Sequence, residues 1–142
     1  MRVLILVACF LGLSACVAPI TKDQLRQNSK HTVDFEIKRP YQQVFSQLLA
    51  QTRKCYLDKP QVRQITVVGN RDNGKKTANI TVEEVYAMAE HDAYLVIDVV
   101  SKNENLSQVS AYVSTVKAKD EVDSVKSWVL QNSKECKVSW LS

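Results

Sequence analysis

The sequence has few of the residues that interrupt regular structure. Three glycines and three prolines in 142 residues exclude a collagen-like chain and a Gly/Pro-rich linker. Histidine is also scarce, with only His31 and His91, and neither stands near a serine or cysteine nucleophile motif. No GxSxG, HExxH or phosphate-binding loop occurs, and no Cys-x-x-Cys pair for thiol–disulfide catalysis. Charge of one sign does not dominate. The 19 basic and 15 acidic side chains give a formal charge of +4, too mild to point to nucleic acid. What is present is a hydrophobic content of 45%, too high for a wholly disordered chain, over a length that suits one domain.

That hydrophobicity is unevenly spread. After Met1 and Arg2 comes an apolar run from Val3 to Leu13. It falls short of the roughly 20 residues that span a bilayer as a helix, and it fits the charged and apolar regions of an export signal. The run ends in Leu13-Ser14-Ala15-Cys16. This tetrapeptide resembles the lipobox of Gram-negative bacterial lipoproteins, in which Leu, a small residue and Ala precede a cysteine. The resemblance covers residues 1–17 and implies cleavage before Cys16 and acylation of Cys16 on its sulfur and its new amino group. Two or more acyl chains hold a protein on a membrane where one does so only marginally. Val17 in the following position implies the outer membrane, with the domain facing the periplasm. An ordinary signal peptide, or a short uncleaved anchor that happens to carry a cysteine, is the competing reading.

The expected organisation is a cleaved signal over 1–15, the lipidated Cys16 with a flexible tether over 16–30, and one globular domain over 31–142. A few tether residues are allowed local helicity. Cleavage discards Cys9 and lowers the formal charge to +3, since Arg2 is the one charged residue lost. Cys55 and Cys136 then remain in an oxidising compartment, where a bridge between them can persist. Each of the two is read as following a helix, so a bridge would tie two helix ends together if the helices run side by side. The alternative is a pair of buried free thiols.

Beyond the tether the periodicities are ordered. Val33, Phe35 and Ile37 alternate with polar residues as in a half-buried strand. Pro40 suits a helix start, and Tyr41, Val44, Phe45, Leu48, Leu49 and Thr52 follow at helical spacing towards Cys55. Strands are expected around Val62–Val68, Ala78–Met88, Leu95–Val100 and Val109–Val113, joined by short turns. Asn73-Gly74 is suited to left-handed backbone in the first of these turns. Asp120 is a good cap for a last helix whose stripe is Val122, Val125, Trp128 and Val129. The order β-α-β-β-β-β-α predicts an α+β two-layer sandwich, an antiparallel meander covered by two amphipathic helices. In architecture alone this resembles helix-grip folds.

Several groups of residues invite a functional reading, each beside a plainer one. Glu83, Glu84, Glu90, His91 and Asp92 could hold a cation, but acidic turns serve solubility, so no metal or cofactor is expected. Arg71, Lys75 and Lys76 could meet phosphate or an acidic glycan, or simply form a solvated hairpin tip. Tyr86, Tyr94 and Tyr112 lie on neighbouring strands, and the alternation puts Tyr94 and Tyr112 on the face away from the helices. That face is either a partner surface or cross-strand aromatic packing. Trp128 and Trp140 read as core. The expectation is a non-enzymatic, membrane-anchored envelope lipoprotein that binds or helps assemble a protein partner, with no role for nucleic acid. The alternative is a carrier of an apolar ligand in a sheet–helix cavity lined by Phe35, Phe45, Ile97, Val113 and Trp128.

Overall fold

Strand alternation and helical stripes bury their apolar sides against one another. The computed structural model describes residues 18–58, 63–86, 90–115 and 118–138. The elements are α1 (Lys22–Asn28), β1 (His31–Ile37), α2 (Tyr41–Leu57), β2 (Gln64–Asp72), β3 (Thr77–Val85), β4 (His91–Asn103), β5 (Leu106–Val113) and α3 (Lys119–Leu130). The strands form one antiparallel sheet in the order β1-β5-β4-β3-β2. Helix α2 carries the chain from one edge strand, β1, to the other, β2. From His31 onward this is the α+β order that the periodicities predict.

The main core lies between the sheet and α2 and α3. Val44, Leu48, Val125 and Trp128 from the helices meet Ile80, Leu95, Ile97, Val99, Val109 and Ala111 from the strands, all buried. Gly69 brings α2 close to β2. A Cβ there would stand 2.9 Å from both Leu49 methyl carbons. Burial of this continuous apolar layer is the principal stabilising term.

Four details depart from the sequence reading. The first concerns the segment expected to be a flexible tether. From Ile20 it docks on the reverse face of the sheet. Thr21 and Gln24 form a reciprocal capping box at the start of α1. A helix this short is not stable alone, so tertiary contacts hold it. Leu25, only 2% exposed, packs with Ala93, Val96 and Tyr112. Arg26 forks onto both oxygens of Asp98 at 2.7 Å, and the Ala93 amide donates to the Ile20 carbonyl at 2.8 Å.

The second is a register shift between β3 and β4 at Val82/Glu83, where Val82 pairs with Leu95 and Glu83 with Ala93. Tyr94 is the extra residue of this bulge. It therefore turns to the helix side together with Leu95, and both join the main core. A bulge reverses the alternation that a period-two reading assumes. The third is the β2–β3 turn. The left-handed residue there is Lys76, with φ 53°, while Gly74 keeps a negative-side backbone. The fourth is the position of the cystine, which is itself the bridge expected. Cys55 and Cys136 are bonded, with Cα atoms 5.2 Å apart. Cys55 lies inside the last turns of α2, whereas Cys136 lies beyond α3. The bridge thus ties the extended segment after α3 back across α2 and does not join two helix ends. Trp128 anchors the same segment, its indole N–H donating to the Glu135 carbonyl at 2.7 Å.

Candidate functional site

At the end of the domain where α2 stops and α3 begins, three polar side chains meet inside the core. Glu121, in the first turn of α3, is 2% exposed. Its carboxylate accepts from Tyr56 of α2 at 2.6 Å and from Tyr94 of β4 at 2.8 Å. Burial, reinforced by the Glu121 charge, pushes the Tyr56 phenol well above its ordinary pKa. A carboxylate so deeply placed is tolerated only when it is hydrogen-bonded, and the helix N-terminus favours its negative charge. The sequence marks Glu121 only as a first-turn acid. Its burial was not legible, because the partner Tyr94 is aimed inward by the bulge.

Beside this cluster, Glu84 is 6% exposed and accepts two bonds from Arg63, at 2.8 and 2.9 Å. Tyr86 donates to the same carboxylate at 2.6 Å. That bond is the main cause that raises the Tyr86 pKa to about 12. His91 pairs instead with Glu83, Nδ1 to Oε2 at 3.0 Å. The acidic residues around the β3–β4 turn are therefore divided among separate partners. No group of three metal-ligating side chains forms among the described residues.

The two tyrosines expected to share an outer face lie on opposite faces of the sheet. Tyr94 is buried against α3, and Tyr112 remains half-buried on the reverse face beside Leu25. Phe35, Phe45, Ile97, Val113 and Trp128, the residues named for an apolar cavity, all belong to the buried core cluster. An open cleft of about 330 Å³ lies elsewhere, between α1 and the end of β5, lined by Ala18, Ile20, Leu25, Lys30 and Ser114 among others. Ser114-Thr115-Val116-Lys117 matches a Ser-x-x-Lys spacing, yet Lys117 lies outside the described residues and no dyad is assigned. Cys16 and Trp140 also lie outside them.

No family model, curated protein or solved structure matches this chain.

The reverse face carries a polar row in register across all five strands: Asn70, Asn79, Asp98, Ser110 and Asp34. Asp98 is held by Arg26, and Asp34 accepts from Gln108 and Ser110. Asn79 Oδ1, Thr81 Oγ1 and Thr66 Oγ1 are buried on this side without a hydrogen-bond partner. Among the described residues, no helix is long and apolar enough to cross a membrane. The charged groups of the opposite end, around the β2–β3 and β4–β5 turns, are exposed and of mainly positive sign.

Proposed function

We propose that this chain is an envelope lipoprotein, anchored in the outer membrane through acylated Cys16 and facing the periplasm. Its domain binds or helps assemble a protein partner and is not catalytic. The observation that carries the reading is the Leu13-Ser14-Ala15-Cys16 sequence at the end of a short apolar run. The Cys55–Cys136 bond supports it, since such a bond persists in an exported protein and is rare in a reducing cytosol. The polar chemistry is spent on holding elements together. Glu121, Glu84 and Asp98 are each engaged by side chains from other segments, as suits a rigid binding module.

The test is fractionation with palmitate labelling in a Gram-negative host. Wild-type protein takes up the label and sediments with the outer membrane. Cys16→Ser takes up none and leaves the membrane fraction. A Cys16→Ser protein that stays in the outer membrane as efficiently as wild type overturns the anchor.

A further inference from the structure

The two ends of the sheet differ in how their charges are partnered. The end that holds Ile20 and the starts of β4 and α3 mixes Asp58, Glu83, Glu90, Asp92, Asp120 and Asp123 with Lys30, Lys54, Arg63 and Lys119, and Arg63 and Lys119 are ion-paired there. The other end is built from the β2–β3 turn, the β4–β5 turn and the corner between β1 and α2. There Lys38, Arg71, Lys75, Lys76 and Lys102 are all exposed. The acids beside them are Glu36, Asp72 and Glu104. Asp72 already accepts from the Lys75 amide at 3.0 Å, and none of the five cations takes part in an ion pair among the described residues.

This tip is held in shape. Tyr41 of α2 donates to Asn73 in the β2–β3 turn at 3.0 Å. The Ser101 amide of β4 donates to the Lys76 carbonyl at 3.0 Å. Ser107 of β5 donates to the Arg39 carbonyl at 2.6 Å. The connections that carry the cations are thus tied to one another, and the positive surface exists before any partner arrives. Leu130 is 48% exposed at the end of α3 and Val100 37% exposed on β4. They flank the tip from the two sides of the sheet.

We propose that this basic tip is the docking surface for the acidic face of an envelope protein. The proposal deepens the lipoprotein reading, which supplies the compartment. Three residues lie between Cys16 and Ile20, whose backbone is bonded to Ala93, so this end of the sheet stands within about 14 Å of the anchor. The tip lies about 30 Å further along β4 and points away from the membrane that holds the chain. Unpaired cations provide steering and charge complementarity, and the flanking Leu130 and Val100 provide the apolar contact that a protein interface uses. Among the described residues, no aromatic side chain is exposed at the tip for bases to stack upon.

The test uses the full chain, purified with its bridge intact, against poly-L-glutamate, vesicles containing one-third phosphatidylglycerol, and a DNA duplex. The variant is Lys75→Glu/Lys76→Glu/Lys102→Glu, with Arg53→Glu/Lys54→Glu/Lys126→Glu as a remote control of equal charge change. The expected result is salt-sensitive binding to poly-L-glutamate that falls more than about tenfold in the tip variant and less than about threefold in the control. Equal losses in both variants, or no loss in either, overturn the proposal. Tighter binding to vesicles or DNA than to poly-L-glutamate also overturns it and assigns the tip to lipid or nucleic acid. Circular dichroism confirms that each variant is folded. Membrane fractionation of the same chain is scored separately, so a failed anchor and a failed docking surface are distinguishable.

Discussion

Tyr94 hydrogen-bonds Glu121 at 2.8 Å across the junction of sheet and α3, while Tyr56 takes the other carboxylate oxygen at 2.6 Å. One buried charge thus joins three elements. Its removal leaves two buried phenols without their acceptor, so Glu121→Ala is expected to cost about 3 kcal/mol. Glu121→Gln keeps an acceptor and should cost less. Urea unfolding of the two variants checks the order, and an equal loss in both would contradict a role for hydrogen bonding at this site.

The same cluster sets an alkaline limit. The Tyr56 phenol has its pKa raised in the folded state, chiefly by burial. A raised value means that the folded state holds the proton more tightly than the unfolded chain does. The stability this confers is fully present below the unfolded value, about 10, and is lost as the pH rises above it. Unfolding is therefore expected to set in above about pH 10. Tyr56→Phe should be less stable at pH 7 and show a flatter decline in stability at high pH. Tyr86 acts in the same direction, since its bond to Glu84 raises its folded-state pKa to about 12 and the stability this confers is likewise lost as the pH rises above about 10. Glu84→Gln should lower the Tyr86 value, as ultraviolet difference titration would show.

Reduction of Cys55–Cys136 is expected to destabilise the domain by about 4 kcal/mol, since the bond closes a loop with a sequence separation of 81. Cys136→Ser should cause a similar loss. Thiol alkylation without reduction should label neither Cys55 nor Cys136 in the wild-type protein, even after denaturation.

Docking of α1 is separable from global stability. Leu25→Ala removes the one buried side chain of that helix, and Arg26→Ala removes the fork on Asp98. Either change should speed hydrogen exchange at the Ala93 amide, which donates to the Ile20 carbonyl, while exchange at Ile97 in the sheet centre remains slow. Unchanged protection at Ala93 would show that α1 is not held by these contacts.

The β2–β3 turn offers a test with an unusual sign. Lys76 has φ 53°, which costs a side-chain-bearing residue about 1 kcal/mol. Lys76→Gly should therefore leave stability unchanged or raise it by about 0.5 kcal/mol, despite the added chain entropy. Gly74 has no positive φ, and an added Cβ meets only Asp72 Oδ1, at 3.4 Å. Gly74→Ala should be tolerated and gain about 0.5 kcal/mol. Thermal unfolding of both variants reads the difference.

Much of the sheet was legible because its burial alternates. Val33, Phe35 and Ile37 in β1, and Val109, Ala111 and Val113 in β5, mark their inward faces without ambiguity. Legibility failed in β4, where Ala93 to Ile97 are all buried. With no polar residue to mark the phase, one extra residue at the bulge went unseen. The helix α1 was hidden for another reason. Two turns with a single buried leucine show no period, although Thr21-x-x-Gln24 is a capping signal open to view in the sequence. Lys76 escaped because the Asn73-Gly74 pair is the stronger turn signal, and the hairpin uses a longer loop.

The place of β1 has a consequence for the order of assembly. Among the described residues its one neighbour in the sheet is β5, and His31 pairs with Val113. The meander from β2 to β5 can zip through local turns, but β1 must wait for the last strand of the sheet. A growing chain therefore cannot complete this sheet until residue 113 is available. The β1–β5 closure carries the entropic cost of bringing together residues far apart in sequence.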